Sequence, residues 1–153
     1  MARWLLSSAC LFFLVAGSPA ASPALAADVG QIKVSKGTVS VQREGSTLAA
    51  PVGMGIRPSD VVVTGPDGSV GIVFADASLL SAGPGSVLAI ERFVFDSTTH
   101  EGAFETRLQK GTLSAVSGKI AKRTPEAMKI RTPSTVLAVR GTELAVRVGG
   151  PAE

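Results

Sequence analysis

Short apolar runs separated by turn residues fill the sequence between Ser59 and Ile90. The runs are rich in Val and Ile, and Gly, Pro and Asp stand between them, which is typical of strands joined by turns. The turn at Pro66-Asp67-Gly68 has a mechanism, because Pro fixes φ, Asp can accept a bond from its own downstream amide, and Gly tolerates positive φ. This stretch therefore predicts an architecture and says little about chemistry.

The same pattern extends over most of the chain. Turn centres at Asp67, Asp76 and Pro84 recur roughly every eight to nine residues, which suits either a meander of hairpins or short rungs of a coil. Only Ser117 to Met128 breaks the rhythm; Thr124-Pro125-Glu126 there resembles a helix start, so we expect a loop with at most a short helix. The sequence predicts a single compact all-β domain of short strands, either β-solenoid-like or a rolled β-sandwich.

The N-terminal residues have the pattern of a secretory signal peptide. Arg3 supplies a positive charge, Trp4 to Ala16 is almost entirely apolar, and Ala24-Leu25-Ala26 fits the site that signal peptidase reads. We expect a helical signal peptide at residues 1–26, cleaved after Ala26 or after Ala27, and a β domain at residues 27–150. An uncleaved membrane anchor is the alternative, but the apolar run is short for a span. The mature protein is expected to be periplasmic or secreted, with no transmembrane span.

Composition excludes several classes of protein. The only cysteine, Cys10, lies in the leader, where the apolar run continues past it, so lipidation is not expected. A mature chain without cysteine cannot be a disulfide scaffold, a thiol enzyme or a zinc-thiolate protein. Loss of Arg3 leaves a net charge one unit below the +3 of the full sequence, too small to predict nucleic-acid binding.

Several separated segments share the pattern of a known family. They are Gly37-Thr-Val-Ser-Val41, Ser59-Asp-Val-Val-Val-Thr-Gly65, Asp67-Gly68, Leu108-Gln-Lys-Gly111, Ile130-Arg-Thr-Pro133 and Val139-Arg-Gly-Thr-Glu-Leu144. In this order they resemble the FecR domain of bacterial envelope proteins, over essentially all of the chain after the leader. The residues that match the family motif, and that we expect to be structural, are Asp60, Thr64, Gly65, Asp67, Gly68, Gly111, Thr132, Pro133, Arg140, Gly141 and Thr142.

The resemblance implies a periplasmic or extracellular all-β module. In the family's namesake this domain lies outside the inner membrane and receives a signal from an outer-membrane siderophore receptor, while a cytoplasmic segment controls a sigma factor. Only a few residues precede the apolar run here, so the anti-sigma role is not expected. Where the family pattern often has Asp-Gly-Ser, this chain has Asp76-Ala77-Ser78, which predicts a turn without positive φ.

No residue pattern predicts a catalytic or metal site. His100, the only histidine, lies next to Glu101 in a polar loop, and neighbouring residues of an extended segment point apart. None of the loop aspartates has the spacing of a calcium loop, and turns that bind their own backbone explain them better. These aspartates are Asp60, Asp67, Asp76 and Asp96. We expect no cofactor, no metal and no enzymatic activity.

Two basic features are candidates for contact or for structure. Arg140 is predicted to be structural, with its guanidinium bonded to backbone carbonyls or a turn Asp so that it pins the last strand, and Gly141 would permit a bend. Lys119, Lys122 and Arg123 form a possible contact patch. The favoured function is a non-catalytic envelope module that binds an unidentified envelope protein, with signal reception resting on family analogy. The alternative is a structural or glycan-associated envelope protein.

Overall fold

The computed structural model describes residues 26–149. The predicted signal-peptide helix, apart from Ala26, and the tail at Gly150 and Pro151 lie outside the described residues. The described part is built of strands with one short helix, α1 (Lys119–Arg123), and one 3-10 helix (Pro125–Ala127), which confirms the all-β prediction. The strands are β1 (Gly30–Lys36), β2 (Val39–Arg43), β3 (Ser46–Ala49), β4 (Gly55–Ile56), β5 (Val61–Thr64), β6 (Ser69–Phe74), β7 (Leu79–Ala82), β8 (Val87–Phe95), β9 (Gly102–Val116), β10 (Met128–Arg131), β11 (Val136–Ala138) and β12 (Glu143–Val148).

Two sheets share the 15-residue strand β9. The first sheet has the order β4-β1-β6-β7-β9-β12, and it uses the second part of β9, from Gly111 to Val116. The second sheet has the order β3-β2-β5-β8-β9-β10-β11, and it uses the first part of β9, from Gly102 to Lys110. The sheet therefore curls over on itself, with β9 running through both halves.

All strand pairs among residues 26–149 are antiparallel except β9 with β10. Rungs of a solenoid stack in parallel, whereas hairpins and meanders give antiparallel ladders. Of the two architectures left open by the sequence, the structure has the rolled one.

The core lies between the two sheets. In β6, the side chains of Val70, Ile72 and Phe74 are buried, as the alternation predicts. The Phe74 ring lies 4.5 Å from that of Phe104, a β9 residue in the second sheet. Burying one such side chain contributes about 1.5–3 kcal/mol, so the inward rows of both sheets supply most of the stabilisation. The inward-facing core residues include Ile32, Val62, Leu80, Leu88, Ile90, Leu108, Leu113 and Ile130.

The break in the strand rhythm is a short helical connection, as predicted. α1 is followed by the 3-10 helix, whose first residue is Pro125, and Thr124 stands before it without a side-chain cap bond. Ile120 and Ala121 are buried and attach α1 to the core. No helix of residues 26–149 is long and apolar enough to cross a membrane.

Candidate functional site

Most of the family-motif glycines lie where the chain passes from one sheet to the other. We call this region the glycine corner, and it comprises residues 37–38, 64–68, 83–86 and 111–112. Its first three passes connect β1 to β2, β5 to β6 and β7 to β8, and its fourth is the point at which β9 changes sheet. The corner places Thr64, Gly65, Asp67, Gly68 and Gly111 in one structural unit.

Two buried hydroxyl groups bind these passes together. The Thr64 hydroxyl donates to the Gly83 carbonyl at 2.7 Å and accepts the Ser86 amide N–H at 2.8 Å. The Ser86 hydroxyl in turn accepts the Thr112 amide N–H at 3.0 Å. Both hydroxyl groups are buried, and their hydrogen bonds satisfy them and join three of the four passes. Sequence reasoning identified Thr64 but missed Ser86, whose only signal is a small polar residue after Pro84-Gly85.

The turn at Pro66-Asp67-Gly68 differs from the prediction. Gly68 has no positive φ, and its amide bonds back to the Gly65 carbonyl at 2.9 Å. Glycine is needed because a Cβ at residue 68 would overlap the Thr38 carbonyl oxygen. The Asp67 carboxylate accepts the Thr38 amide at 3.4 Å, not its own downstream amide. The prediction was wrong on both points because the neighbouring pass, at Thr38, sets the geometry.

Gly111 is the residue at which β9 bends. Its φ is 95°, a conformation that residues with a side chain rarely adopt. A Cβ there would also overlap the side chain and Cα of Ser86. This position therefore requires glycine for two separate reasons.

Asp60, the first motif residue, belongs to a buried ion pair with Arg43. The Asp60 carboxylate is 1% exposed and accepts Arg43 Nε at 2.8 Å, Arg43 Nη2 at 2.6 Å and the Arg57 amide at 2.9 Å. Arg43 Nη2 also donates to the Gly55 carbonyl at 2.9 Å. The hydrogen bond to Asp60 raises the pKa of Arg43 above its ordinary value. The pair therefore ties β2 to the segments around β4 and β5.

The turn Asp76-Ala77-Ser78 does have a positive φ, so that prediction was also wrong. Ala77 has φ of 65°. The buried Asp76 carboxylate accepts the Ser78 amide at 2.9 Å and the Ser78 hydroxyl at 2.6 Å, and the Lys119 amide donates to the Asp76 carbonyl at 2.8 Å. These bonds hold Ala77 in the left-handed region and attach α1 to the β6–β7 turn.

The motif residues near the C-terminus are more exposed. Thr132 starts the β10–β11 turn, and its amide donates to the Thr135 carbonyl at 2.8 Å. Pro133 is exposed and lines a shallow groove of about 530 Å³ that also involves Gln109 and Val148. The groove lies where β10 and β12 meet end to end along β9.

The predicted pinning role of Arg140 was wrong. Arg140 is exposed, and its guanidinium makes no hydrogen bond or ion pair with residues 26–149. The backbone is fixed instead by Ser117, whose amide donates to the Thr142 carbonyl at 2.9 Å and whose hydroxyl donates to the Gly141 carbonyl. Gly141, with φ of 96°, does form a bend. The arginine whose guanidinium does bind an aspartate and a backbone carbonyl is Arg43, which fixes β2 and not the last strand.

The three predicted basic contact residues share α1. Lys119, Lys122 and Arg123 are all exposed, and none forms an ion pair within the described residues. Their positions along the helix place them on neighbouring turns of one surface. They form a compact positive patch beside the Asp76 turn, which we call the α1 patch.

The His100 loop carries no acid–base pair. The His100 ring stacks on Phe95 with centroids 6.2 Å apart, and both His100 and Glu101 are exposed. Asp96 accepts the amides of Thr98 and Thr99, as expected for a turn aspartate, and these bonds lower the pKa of Asp96 below its ordinary value of 3.8. Within residues 26–149, no three His, Cys, Asp or Glu side chains are grouped so that they could hold a metal ion.

Comparison with known proteins identifies the family of the chain. No curated protein and no solved structure matches the chain. The model of the family described as FecR protein matches residues 60–152, from the buried Asp60 onward, so the Gly37–Val41 segment lies before the match. The chain belongs to the FecR family.

Proposed function

We propose that this protein is an exported, non-catalytic module of the bacterial cell envelope that acts by binding another envelope protein. One observation carries the proposal: the motif residues that lie in the glycine corner, together with Asp60, are used for backbone turns and buried bonds. Residues that are consumed in this way build a scaffold and leave no cluster for bond-making chemistry. Membership of the FecR family supports a role in receiving a signal, by analogy with the family.

The outer face of the second sheet supports a contact function. Its charges alternate across neighbouring strands: Arg107 Nε lies 2.7 Å from Glu91 Oε1, and Arg131 Nη2 lies 3.4 Å from Glu105 Oε2. Arg107 is exposed and the other three side chains are partly exposed, and ion pairs near the surface add little to stability. A fixed pattern of surface charge instead contributes specificity and association rate when a protein partner approaches. Together with the α1 patch, this face offers two charged surfaces on a rigid body.

Export is tested by expressing the full chain in a Gram-negative host and measuring the mass of the periplasmic form. We expect loss of the leader, with the new N-terminus at Ala27 or Asp28. A full-length protein that stays in the cytoplasm or in the inner membrane would contradict export.

Partner binding is tested by photo-crosslinking in the envelope. A photoreactive residue replaces Arg107 on the charged face, Lys122 on the α1 patch, or Gln31 on β1 of the first sheet as an exposed control away from both surfaces. We expect one surface to crosslink to a defined envelope protein. The purified partner should then bind saturably, and reversal of charge at the same surface should weaken that binding.

Other outcomes distinguish the alternatives. Co-sedimentation with purified peptidoglycan, without any protein crosslink, would replace the proposal with the glycan-associated function. A turnover that one side-chain substitution abolishes would exclude a non-catalytic role.

A further inference from the structure

The outer edge of β12 is an unusually long open edge. β12 has six residues and pairs only with β9, whereas the other edge strands β3, β4 and β11 have four, two and three residues. Within residues 26–149 nothing pairs with the other side of β12. An edge of this kind presents a row of backbone N–H and C=O groups that can bind a further strand.

The register with β9 identifies which backbone groups point outward. Glu143 lies opposite Val116, and the Ser117 amide donates to the Thr142 carbonyl at 2.9 Å. Hydrogen-bonded and non-hydrogen-bonded pairs alternate along an antiparallel ladder. The even-numbered residues of β12 therefore bond to β9, and Glu143, Ala145 and Arg147 direct their N–H and C=O groups to the open side.

The side chains of the same three residues have a self-complementary pattern. Glu143, Ala145 and Arg147 are exposed, while Leu144, Val146 and Val148 are half-buried and pack against the core. Charges on an edge strand commonly oppose pairing with another strand. Here the two charges have opposite sign and stand at equal distances from Ala145, so antiparallel self-pairing brings unlike charges together.

We propose that β12 pairs with β12 of a second copy of this chain, antiparallel, about a two-fold axis at Ala145. In this register Ala145 faces its own copy, and Glu143 faces Arg147 of the second copy on both sides of the axis. The three pairs use the outward backbone groups, and each pair exchanges two hydrogen bonds. The contact is isologous, so it closes as a dimer and leaves no further β12 edge open.

Charge selects this register over the others. A shift that centres the axis on Glu143 or on Arg147 places like charges opposite each other, and in-register parallel pairing does the same along the whole strand. Like charges directly opposite are destabilising in a sheet. Because a single strand pair forms a small interface, the dimer is weak and forms in a concentration-dependent manner.

The test uses charge-reversed variants of the purified protein in sedimentation equilibrium over a wide concentration range. The wild-type protein should dimerise. The Glu143→Arg chain carries two positive charges on the outward row and the Arg147→Glu chain two negative ones, so each alone should be monomeric. An equimolar mixture of the two should dimerise again, and so should the double variant E143R/R147E.

A backbone variant tests the hydrogen bonds separately. The Ala145→Pro substitution removes an outward N–H that β9 does not use, and proline is tolerated on edge strands. This variant should lose the dimer while its urea unfolding midpoint stays close to that of the wild type. A wild-type protein that is monomeric at every concentration would overturn the proposal, as would dimerisation that E143R and R147E leave unchanged. Neither result would bear on export or on binding of an envelope partner.

Discussion

The guanidinium of Arg43 reaches across 17 positions of sequence to the carboxylate of Asp60, and Nη2 lies 2.6 Å from Oδ2. The carboxylate is almost fully buried, and the arginine is largely covered. Two charges that are removed from water in this way are stable only because each is paired with the other.

The Arg43→Ala substitution should lower the free energy of unfolding by about 3 kcal/mol, because it leaves a buried carboxylate without its cation. Urea denaturation measures the loss. The double variant R43A/D60A should be less destabilised than the sum of the single variants, with a coupling energy of about 1–3 kcal/mol. The matched control is Arg140→Ala, which should change stability by less than about 0.5 kcal/mol, because Arg140 is exposed. A large effect at Arg140 would restore its predicted pinning role.

Three glycine substitutions separate backbone strain from close approach. Gly111→Ala meets both, and we expect a loss of about 3–5 kcal/mol or failure to fold. Gly85→Ala meets only a φ of 62° with open space around it, so about 1–2 kcal/mol should be lost. Gly68→Ala has no positive φ to strain it but crowds the backbone of Thr38 and Gly65, and it should lose about 1–3 kcal/mol. Equal losses for all three in thermal or urea unfolding would contradict this distinction.

Replacing Ala77 with glycine should stabilise the protein. The left-handed conformation of Ala77 costs about 1–2 kcal/mol, and glycine removes that cost. Glycine also raises the conformational entropy of the unfolded chain, which lowers the free energy of unfolding by about 0.4–1 kcal/mol. The net increase in that free energy should be about 0.5–1 kcal/mol. Its neighbour provides the control: Ala75 has no positive φ, so Ala75→Gly should lower the melting temperature.

The Asp76→Ala substitution should loosen α1. It leaves the buried Ser78 and Ile120 amides without their acceptor, at a cost of about 2–3 kcal/mol. Hydrogen exchange should accelerate at the Lys122 and Thr124 amides, which bond to the Gly118 and Ile120 carbonyls at the two ends of α1. The Ser78→Ala variant keeps the carboxylate and should have a smaller effect. Unchanged exchange in D76A would show that the Asp76 carboxylate does not hold the helix, and that the bond from the Lys119 amide to the Asp76 carbonyl is enough.

The loop that starts at Asp96 should weaken only in acid. Since the Thr99 and Thr98 amides bind its charged form, the pKa of Asp96 is lower in the folded protein than in the unfolded chain. The stabilisation is therefore fully present above the ordinary pKa of 3.8, which the unfolded chain retains, and is lost as the pH falls through the lower folded pKa. A carboxyl-carbon NMR titration measures that pKa directly. The amide signals of Thr98 and Thr99 should shift with the same pKa in the wild-type protein, because both amides bond to this carboxylate. In the Asp96→Asn variant these shifts should be absent.

Local patterns in the sequence were enough to predict the strands and most turns. Alternation in Ser69–Phe74 gave the buried row, and the failure of strand pattern after Ser117 gave the short helices. Local rules were wrong where a distant segment decides the geometry. Gly68 is glycine because of Thr38, and Ala77 keeps its positive φ because the surrounding bonds hold it.

Long-range polar partners could not be predicted from spacing. Nothing in the sequence distinguishes Arg43, which is paired and largely covered, from Arg140, which is exposed. Ser86 likewise gains its importance only when Thr64 and Thr112 come within hydrogen-bond distance. Such roles depend on the order of strands across two sheets, which periodicity does not encode.

The shared strand β9 has a consequence for how the chain acquires its structure. β7 belongs to the first sheet and β8 to the second, and both pair with β9. A chain that is synthesised from the N-terminus therefore cannot complete either sheet before Val116, the last residue of β9, has been made. β8 and β9 form a hairpin, whereas the contacts of β9 with β7 join residues far apart in sequence, so we expect the first sheet to close more slowly than the hairpin forms. A nick between Phe95 and Gly102 would therefore leave two pieces, each with an incomplete part of both sheets, and only their reassociation would recover the native structure.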